Sequence, residues 1–243
     1  MNSPAPSNQG AEGGRPFVFI NMAMTADGKI ATANRAVSAF GSQRDLAHLY
    51  ALRATADAVM CGARTAEMAG LHLGPGPMRY RRQRLKRGLA EYNLRVLVSG
   101  SGSLNPCAPI FEKRFSPIIV LTTRRASRRR LAALRRVADD VFVGGETEVS
   151  FSAALVYLRS RWGVKRLLCE GGGELNAALF AAGVVDELHL TICPLVVGGR
   201  TAPTIADGVG AARLTDAAQL ELVSWRRVGA EWFCVFSAGP PPP

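Results

Sequence analysis

The sequence predicts a three-layer α/β/α fold: a mostly parallel central sheet, covered by helices, with antiparallel strands at its C-terminal end. Three observations predict it. Continuous apolar runs, the pattern of strands buried on both faces, recur through the first two thirds of the chain. Segments with helical spacing alternate with them, which calls for crossover connections and a parallel sheet. The last two runs have no helix between them, only Val228-Gly229-Ala230-Glu231, which reads as a hairpin connection.

In chain order, residues 17–24 (FVFINMAM) are the first buried strand, and Thr25-Ala26-Asp27-Gly28 ends it as a turn. Ser42 is placed to cap a helix to about residue 55, with Leu46, Leu49, Leu52 and Arg53 at helical spacing. Residues 57–62 (DAVMCG) form a short strand, followed by a helical turn over 63–68. Residues 70–93 read as a Gly/Pro-rich and then basic loop, long enough to be a binding loop. Strands follow at 94–99, 117–122 and 140–143, with a basic helix near 127–137 between the last two. A helix spans 150–162, with Phe151, Leu155 and Leu158 on one side. Next come a strand at 165–169, three glycines and a small-residue helix over 174–182. Strands at 185–197, 219–228 and 231–237 close the sheet. With no repeat and no interior linker, the chain reads as one domain over 16–238. Polar, Pro/Gly-rich tails flank it at 1–15 and 239–243.

At 243 residues and 48% hydrophobic content, the chain can bury a sizeable core. It has no signal-peptide pattern and no apolar run of the roughly 18 residues a membrane span needs, so the expectation is a cytoplasmic protein with no membrane partner. The cysteines Cys61, Cys107, Cys169, Cys193 and Cys234 show no short pairing; buried free thiols are the plain reading. No C-x-x-C or H-x-E occurs, so no metal site is expected. The net charge of +11 gathers in residues 79–87 and 124–136. The second cluster fits a solvated helix face, with Leu131, Leu134 and Val137 turned inward. The first, placed in a loop, leaves anion binding open. Nucleic acid is a competing partner on charge alone, but no binding motif or interleaved aromatics accompany it.

The segment KRLLCEGGGELN sets three glycines between a strand and a helix. Ligands of parallel α/β sheets bind beyond the carboxyl ends of the strands, where a helix N-terminus offers unpaired N–H groups to phosphate. This is neither a G-x-G-x-x-G fingerprint nor a Walker loop, so spacing alone leaves a tight turn as the alternative. Glu170 would be repelled by a phosphate. It either hydrogen-bonds a neutral part of a second ligand or caps its own turn.

Four segments in order carry a resemblance: Met24-Thr25-Ala26-Asp27-Gly28-Lys29-Ile30-Ala31, Asp57-Ala58-Val59-Met60-Cys61-Gly62-Ala63-Arg64-Thr65, Cys169-Glu170-Gly171-Gly172-Gly173-Glu174-Leu175-Asn176, and Val185-Asp186-Glu187-Leu188 through Pro194 to Gly198-Gly199. Together they resemble the reductase domain of riboflavin biosynthesis, which has the dihydrofolate-reductase-like fold. The resemblance covers residues 17–236. It implies an NADPH-dependent enzyme, commonly a homodimer, that reduces the ribosylamino group of a pyrimidine nucleotide to ribitylamino. It places Ala23, Thr65, Ser99, Gly100, Gly172, Gly173, Glu174, Leu175, Asn176 and Ala177 at the cofactor. It places Ser38, Arg53, Leu73 and Glu170 at a phosphorylated small-molecule substrate. The chemistry suits these types: Arg53 can grip a phosphate bidentately, and Glu170 can fix a polar edge of pyrimidine or ribose. Asp27 and Lys29 are the candidates to support proton transfer as the sugar ring opens. Hydride chemistry itself belongs to the cofactor.

The chain departs from the family at two places. Glu67-Met68-Ala69-Gly70 replaces the usual acidic residues and proline, and the tryptophan expected near Ala39-Phe40 is absent. Both lie on the substrate side, which leaves open a paralogue with another substrate or a non-catalytic nucleotide binder. The zinc deaminase half that accompanies many bacterial members is missing, which implies a stand-alone reductase.

Overall fold

The computed structural model describes residues 14–35, 40–68 and 70–239. Its elements in chain order are β1 (Phe17–Thr25), α1 (Gln43–Arg53), β2 (Ala58–Gly62), α2 (Ala63–Ala66), α3 (Met78–Lys86), β3 (Leu94–Val98), β4 (Ile118–Thr122), α4 (Arg128–Val137), β5 (Asp140–Val143), α5 (Phe151–Trp162), β6 (Arg166–Cys169), α6 (Gly173–Ala181), β7 (Glu187–Cys193), β8 (Leu220–Val228) and β9 (Glu231–Ala238). One nine-stranded sheet runs β5-β4-β3-β2-β6-β1-β7-β9-β8. Neighbours from β5 to β7 pair in parallel, while β9 and β8 pair antiparallel. The expected mixed sheet is therefore the one found.

The order has a functional consequence. The chain steps outward from β2 to β5, then returns with β6 between β2 and β1, where Cys169 aligns with both Ile20 and Met60. Such a reversal opens a crevice above the carboxyl ends of the central strands, and the glycine turn leaves β6 there.

Alternation along the strands divides the core between two faces. Val18, Ile20 and Met22 pack with Phe151, Leu155 and Leu158 of α5 and Leu175 and Leu179 of α6. Phe19, Val59, Leu97, Val120 and Leu168 pack with Leu52 of α1, Ala66 of α2 and Leu134 of α4. Each fully buried large side chain contributes about 1.5–3 kcal/mol. Local signals agree with these elements. The Ser42 hydroxyl accepts from the Arg44 and Asp45 amides at the start of α1, and Ser127 caps α4. Gly163 ends α5 in the left-handed conformation, at φ 67°.

One expectation is corrected. Residues 70–93 are not all loop, because the first basic cluster is the helix α3. Met, Arg, Gln, Leu and Lys are good helix formers, and Pro77 pre-sets the entry. Tyr80 and Arg84, four residues apart, give the helix its buried face. Arg84 is 1% exposed and donates to the carbonyls of Ala90 (2.8 Å), Arg53 (2.8 Å) and Ala56. Burial pulls its pKa down to about 10, still cationic at neutral pH. Arg81 meets Glu91 and the Tyr92 hydroxyl. Much of this cluster thus serves the protein's own groups rather than an outside anion.

Of the expected tails, residues 1–13 and 240–243 lie outside the described residues. Arg15 is anchored, its guanidinium donating to both oxygens of Asp186 at 2.7 Å. At the opposite flank, β8 is an edge strand whose Leu222, Val223 and Trp225 are exposed, and Trp225 stacks obliquely on Trp232 of β9 at 5.0 Å.

Arg84→Ala removes three hydrogen bonds, although Asn93 still reaches the Arg53 and Ala56 carbonyls, and should lower unfolding free energy by about 1–3 kcal/mol in urea titration, whereas exposed Arg82→Ala should change it by less than about 0.5 kcal/mol. Equal, small losses would mean that α3 is not held through Arg84.

Candidate active site

Strand β6 ends at Cys169, and its extension carries Glu170 and three glycines to the start of α6. The Glu170 amide donates to the Met60 carbonyl, and the Gly62 amide to the Gly171 carbonyl, so the turns after β2 and β6 lie side by side. The Gly171–Gly172 peptide bond is cis, and Gly171 has φ 74°. Each glycine has its own reason. A Cβ on Gly171 would come within 2.7 Å of Met22 Sδ, and one on Gly173 within 2.4 Å of the Thr204 carbonyl. A Cβ on Gly172 would meet nothing within 4 Å. Gly172 therefore faces open space, the place where a ligand could approach the backbone.

The first intrahelical bond of α6 runs from the Asn176 amide to the Gly172 carbonyl. Among the described residues, no acceptor meets the N–H groups of Gly172, Gly173, Glu174 or Leu175, and no side chain caps the helix. Unpaired donors and the positive helix end together form an anion cradle. The Leu175 and Asn176 side chains do not face it. Leu175 lies in the core, and Asn176, 1% exposed, donates to the Ile205 carbonyl at 2.8 Å. Leu175 can serve a phosphate only through its backbone amide, and the Asn176 amide is already committed to the Gly172 carbonyl. Glu174 is exposed, 3.9 Å from Arg64 of α2. Ala177, Ala23 and Thr65 are half-buried. Ser99 is buried, its hydroxyl accepting from the Ser103 amide, and the Gly100 carbonyl accepts from Thr123 Oγ1 at 2.6 Å.

On the α1 side of the turn, Arg53 and Glu170 form a bidentate ion pair, Nε to Oε1 and Nη2 to Oε2, both 2.6 Å, with side chains 5% and 9% exposed. Burial alone would lower the pKa of Arg53; the Glu170 charge and hydrogen bonds outweigh it and raise it. Nη1 donates to the Gly74 carbonyl at 2.7 Å. The fork that the sequence assigned to a substrate phosphate thus engages Glu170. Leu73 is fully buried with φ 55°, so the loop presents backbone, not that side chain, to the cleft. Ser38, Ala39 and Ala69 lie outside the described residues.

Asp27 and Lys29 stand apart from this pair. Asp27 accepts from the Thr25 hydroxyl and from the Val197 and Gly198 amides; the Thr25 and Gly198 bonds foremost hold its carboxyl down to about 2. It is ionised at neutral pH and has no proton to give. Lys29 Nζ donates to the Ala202 carbonyl at 3.2 Å, and Lys29 bridges to Thr204. Both residues fasten the connection after β7 to the end of β1. Burial first, with nearby charge, lifts the Cys61 thiol; burial also lifts Cys169 to about 12, so neither is a nucleophile.

Sequence reasoning missed the segment 203–207. The Asp207 amide donates to the Gly173 carbonyl, and the Asp207 carboxylate fixes Thr204. No local pattern announced it. It also missed Asn21, 8% exposed, which follows the last β1–β6 pair, Ile20 with Cys169, and whose Oδ1 has no hydrogen-bond partner among the described residues. Its signal was present as the lone amide in FVFINMAM.

Known proteins match this arrangement along nearly the whole chain. The RibD C-terminal domain family matches residues 16–234. The chain belongs to the RibD C-terminal domain family. It is 35% identical over 208 residues to the 2,5-diamino-6-ribosylamino-4(3H)-pyrimidinone 5′-phosphate reductase of Methanothermobacter thermautotrophicus, covering 86% of this chain and 91% of that protein. It is 35% identical over 194 residues to the reductase of the same name from Archaeoglobus fulgidus, covering 80% and 87%. A pyrimidine reductase-like protein from Corynebacterium diphtheriae superposes with a TM-score of 0.75 at 24% identity, covering 92% of both chains. RibD of Acinetobacter baumannii gives 0.72 at 19% identity, covering 93% of this chain and 58% of that one. The expected family and its fold are thereby borne out.

Glu170→Leu leaves Arg53 buried without its counter-charge and should cost about 3–5 kcal/mol of stability, while the double change Arg53→Met/Glu170→Leu should restore most of it. Urea unfolding of the three variants measures this. Single variants within about 1 kcal/mol of the parent would show a pair that water reaches.

Proposed function

We propose that the protein is an NADPH-dependent reductase that converts the ribosylamino group of a pyrimidine nucleotide 5′-phosphate to ribitylamino. The observation that carries this reading is the row of unpaired amides from Gly172 to Leu175 beneath open space, fitted to a cofactor pyrophosphate. The two relatives at 35% identity, both pyrimidinone 5′-phosphate reductases by name, support the substrate class.

In the reaction the C1′–O4′ bond of the ribosylamine breaks, C1′ gains a hydride and O4′ gains a proton. The cofactor, when bound, supplies the hydride; the chain supplies alignment and the proton's path. Gly172, Gly173, Glu174 and Leu175 would hold the pyrophosphate through backbone, and Ala23, Thr65, Ser99 and Gly100 would border the rest. Glu170, fixed by Arg53, turns its remaining lone pairs to the pyrimidine or ribose N–H and O–H groups. Asp27 is ionised and bound to amides, so the proton falls to Lys29, whose ammonium stands at the end of β1. Cytoplasmic placement goes with the free cysteines. With Arg81 and Arg84 committed within the fold, less of the basic excess is left for nucleic acid.

The assembly belongs to the same reading. β8 presents an unpaired edge with Leu222, Val223 and Trp225 exposed. A two-fold axis beside such an edge pairs it antiparallel with its own copy, so a homodimer through β8 and β9 covers these side chains. Trp225→Glu should give a monomer in sedimentation velocity with an unchanged circular dichroism spectrum. A parent that already sediments as a monomer at micromolar concentration removes this surface as an interface.

NADPH oxidation in the presence of the deaminated or the non-deaminated pyrimidine nucleotide tests the reaction; no turnover with either, together with no NADPH binding below millimolar, rejects the reading. Gly172→Ala should keep the parent Tm and lose about tenfold or more in NADPH affinity. Gly173→Ala should instead lower Tm by about 5 °C, because its Cβ collides with the Thr204 carbonyl.

A further inference from the structure

We infer that His72 is a positioning residue of the substrate side: its neutral imidazole holds the turn whose carbonyl fastens Arg53, and protonation of the ring releases that turn. This role rests on the reductase reading, in which Arg53 and Glu170 form the substrate side of the cleft.

The geometry is a relay of hydrogen bonds. His72 Nδ1 accepts from the Gly74 amide at 2.9 Å. The Gly74 carbonyl accepts from Arg53 Nη1 at 2.7 Å, and Arg53 forks onto Glu170. A side chain that accepts from the amide two residues ahead builds a turn that asparagine and aspartate commonly build. Here the turn depends on that bond. Leu73, between the two residues, sits at φ 55°, a left-handed conformation unfavourable to any residue with a Cβ. Phe115 forms the other wall. A Cβ on Gly74 would lie 3.2 Å from both His72 Nδ1 and Phe115 Cζ, so the turn is clasped between imidazole and phenyl.

The bond also fixes the tautomer. Nδ1 accepts only while it carries no proton, which leaves the ring proton on Nε2. An imidazolium has two donors, so Nδ1–H would face the Gly74 N–H and the contact would become repulsive. The charges that reach the ring are Arg53 from α1, Lys113 from the loop before β4, Arg95 from β3 and Glu170 from the turn after β6. Glu170 is already matched by Arg53, so a protonated His72 would join an excess of cations. Burial foremost, then the charges of Arg53 and Lys113, hold the imidazole pKa below its ordinary 6.5. The neutral ring is therefore the folded form at neutral pH, and the bond is lost as the pH falls below that value. Without it the Gly74 carbonyl leaves its place, Arg53 keeps only its two bonds to Glu170, and the pair loses its fixed direction toward the substrate.

The test compares the parent, His72→Asn and His72→Leu, with KM for the pyrimidine nucleotide and for NADPH measured from about pH 8 to about pH 5. Asparagine keeps an acceptor for the Gly74 amide but takes up no proton in this range. On the acid side the parent's nucleotide KM should rise at least about fivefold more than that of His72→Asn, while their NADPH KM values run together. The substrate's own phosphate titration is common to both enzymes and cancels in the comparison. His72→Leu, with no acceptor, should show at every pH the raised nucleotide KM that the parent reaches only in acid. Equal pH dependence in the parent and His72→Asn, or a His72→Leu variant with the parent's KM at about pH 8, overturns the inference while the reductase reading stands. Hydrogen exchange over residues 70–77, corrected for intrinsic rate, reads the same turn without turnover. The parent should lose protection at about pH 5 and His72→Asn should keep it; the same behaviour in both overturns the inference. If no pyrimidine nucleotide is turned over, the reductase reading falls, and the exchange experiment decides whether His72 holds the turn.

Discussion

The carboxyl rim of this sheet is organised around a constraint that two buried charges impose. Arg53 ends α1 and Glu170 ends β6, residues 117 positions apart in sequence, and each is nearly sealed from water. A lone guanidinium or carboxylate there would face a desolvation penalty of several kcal/mol, so neither element can settle without the other. The third nitrogen of Arg53 reaches the Gly74 carbonyl and draws the loop before α3 into the same arrangement. Arg84 then binds the carbonyl of Arg53 itself. Two arginines thus run a chain of constraint from α3 through α1 to the glycine turn.

That chain divides the cleft. On one side of Glu170, charges are paired and the backbone is tied down. On the other, amides of α6 lie open, and Arg125 and Arg130 meet no carboxylate among the described residues. The glycines mark the boundary, two shaped by collisions within the protein and one, Gly172, by a space that the protein leaves clear. A run of like residues has three separate causes.

Most of the strands and helices were legible because their signals are local. Apolar runs marked the buried strands, Ser42 and Ser127 announced helix starts, and Val228-Gly229-Ala230-Glu231 announced the hairpin. The helix α3 was misread because arginine density and a Gly/Pro-rich approach suggested solvent. Its buried face is Tyr80 and an arginine, and hydropathy cannot tell a buried arginine from a solvated one. At the site, residue types were legible and their pairings were not. Arg53 and Glu170 could each be singled out, yet only the fold shows that they bind each other. Asp27 likewise carried the right chemistry for proton transfer, and only the amides of Val197 and Gly198, brought from far along the chain, show it held as a carboxylate.

Asp186 has a consequence at the opposite rim. Its carboxylate receives Arg15 and the Val18 amide, and its carbonyl receives the Ala238 amide. The first and last parts of the fold therefore meet at one residue, at the amino end of β1 and β7, while the cleft opens at the carboxyl end. A second protein module joined at either flank would hang behind the sheet and leave the cleft unobstructed. The rim that ties the two ends of the fold together is thus separate from the rim that opens onto the cleft.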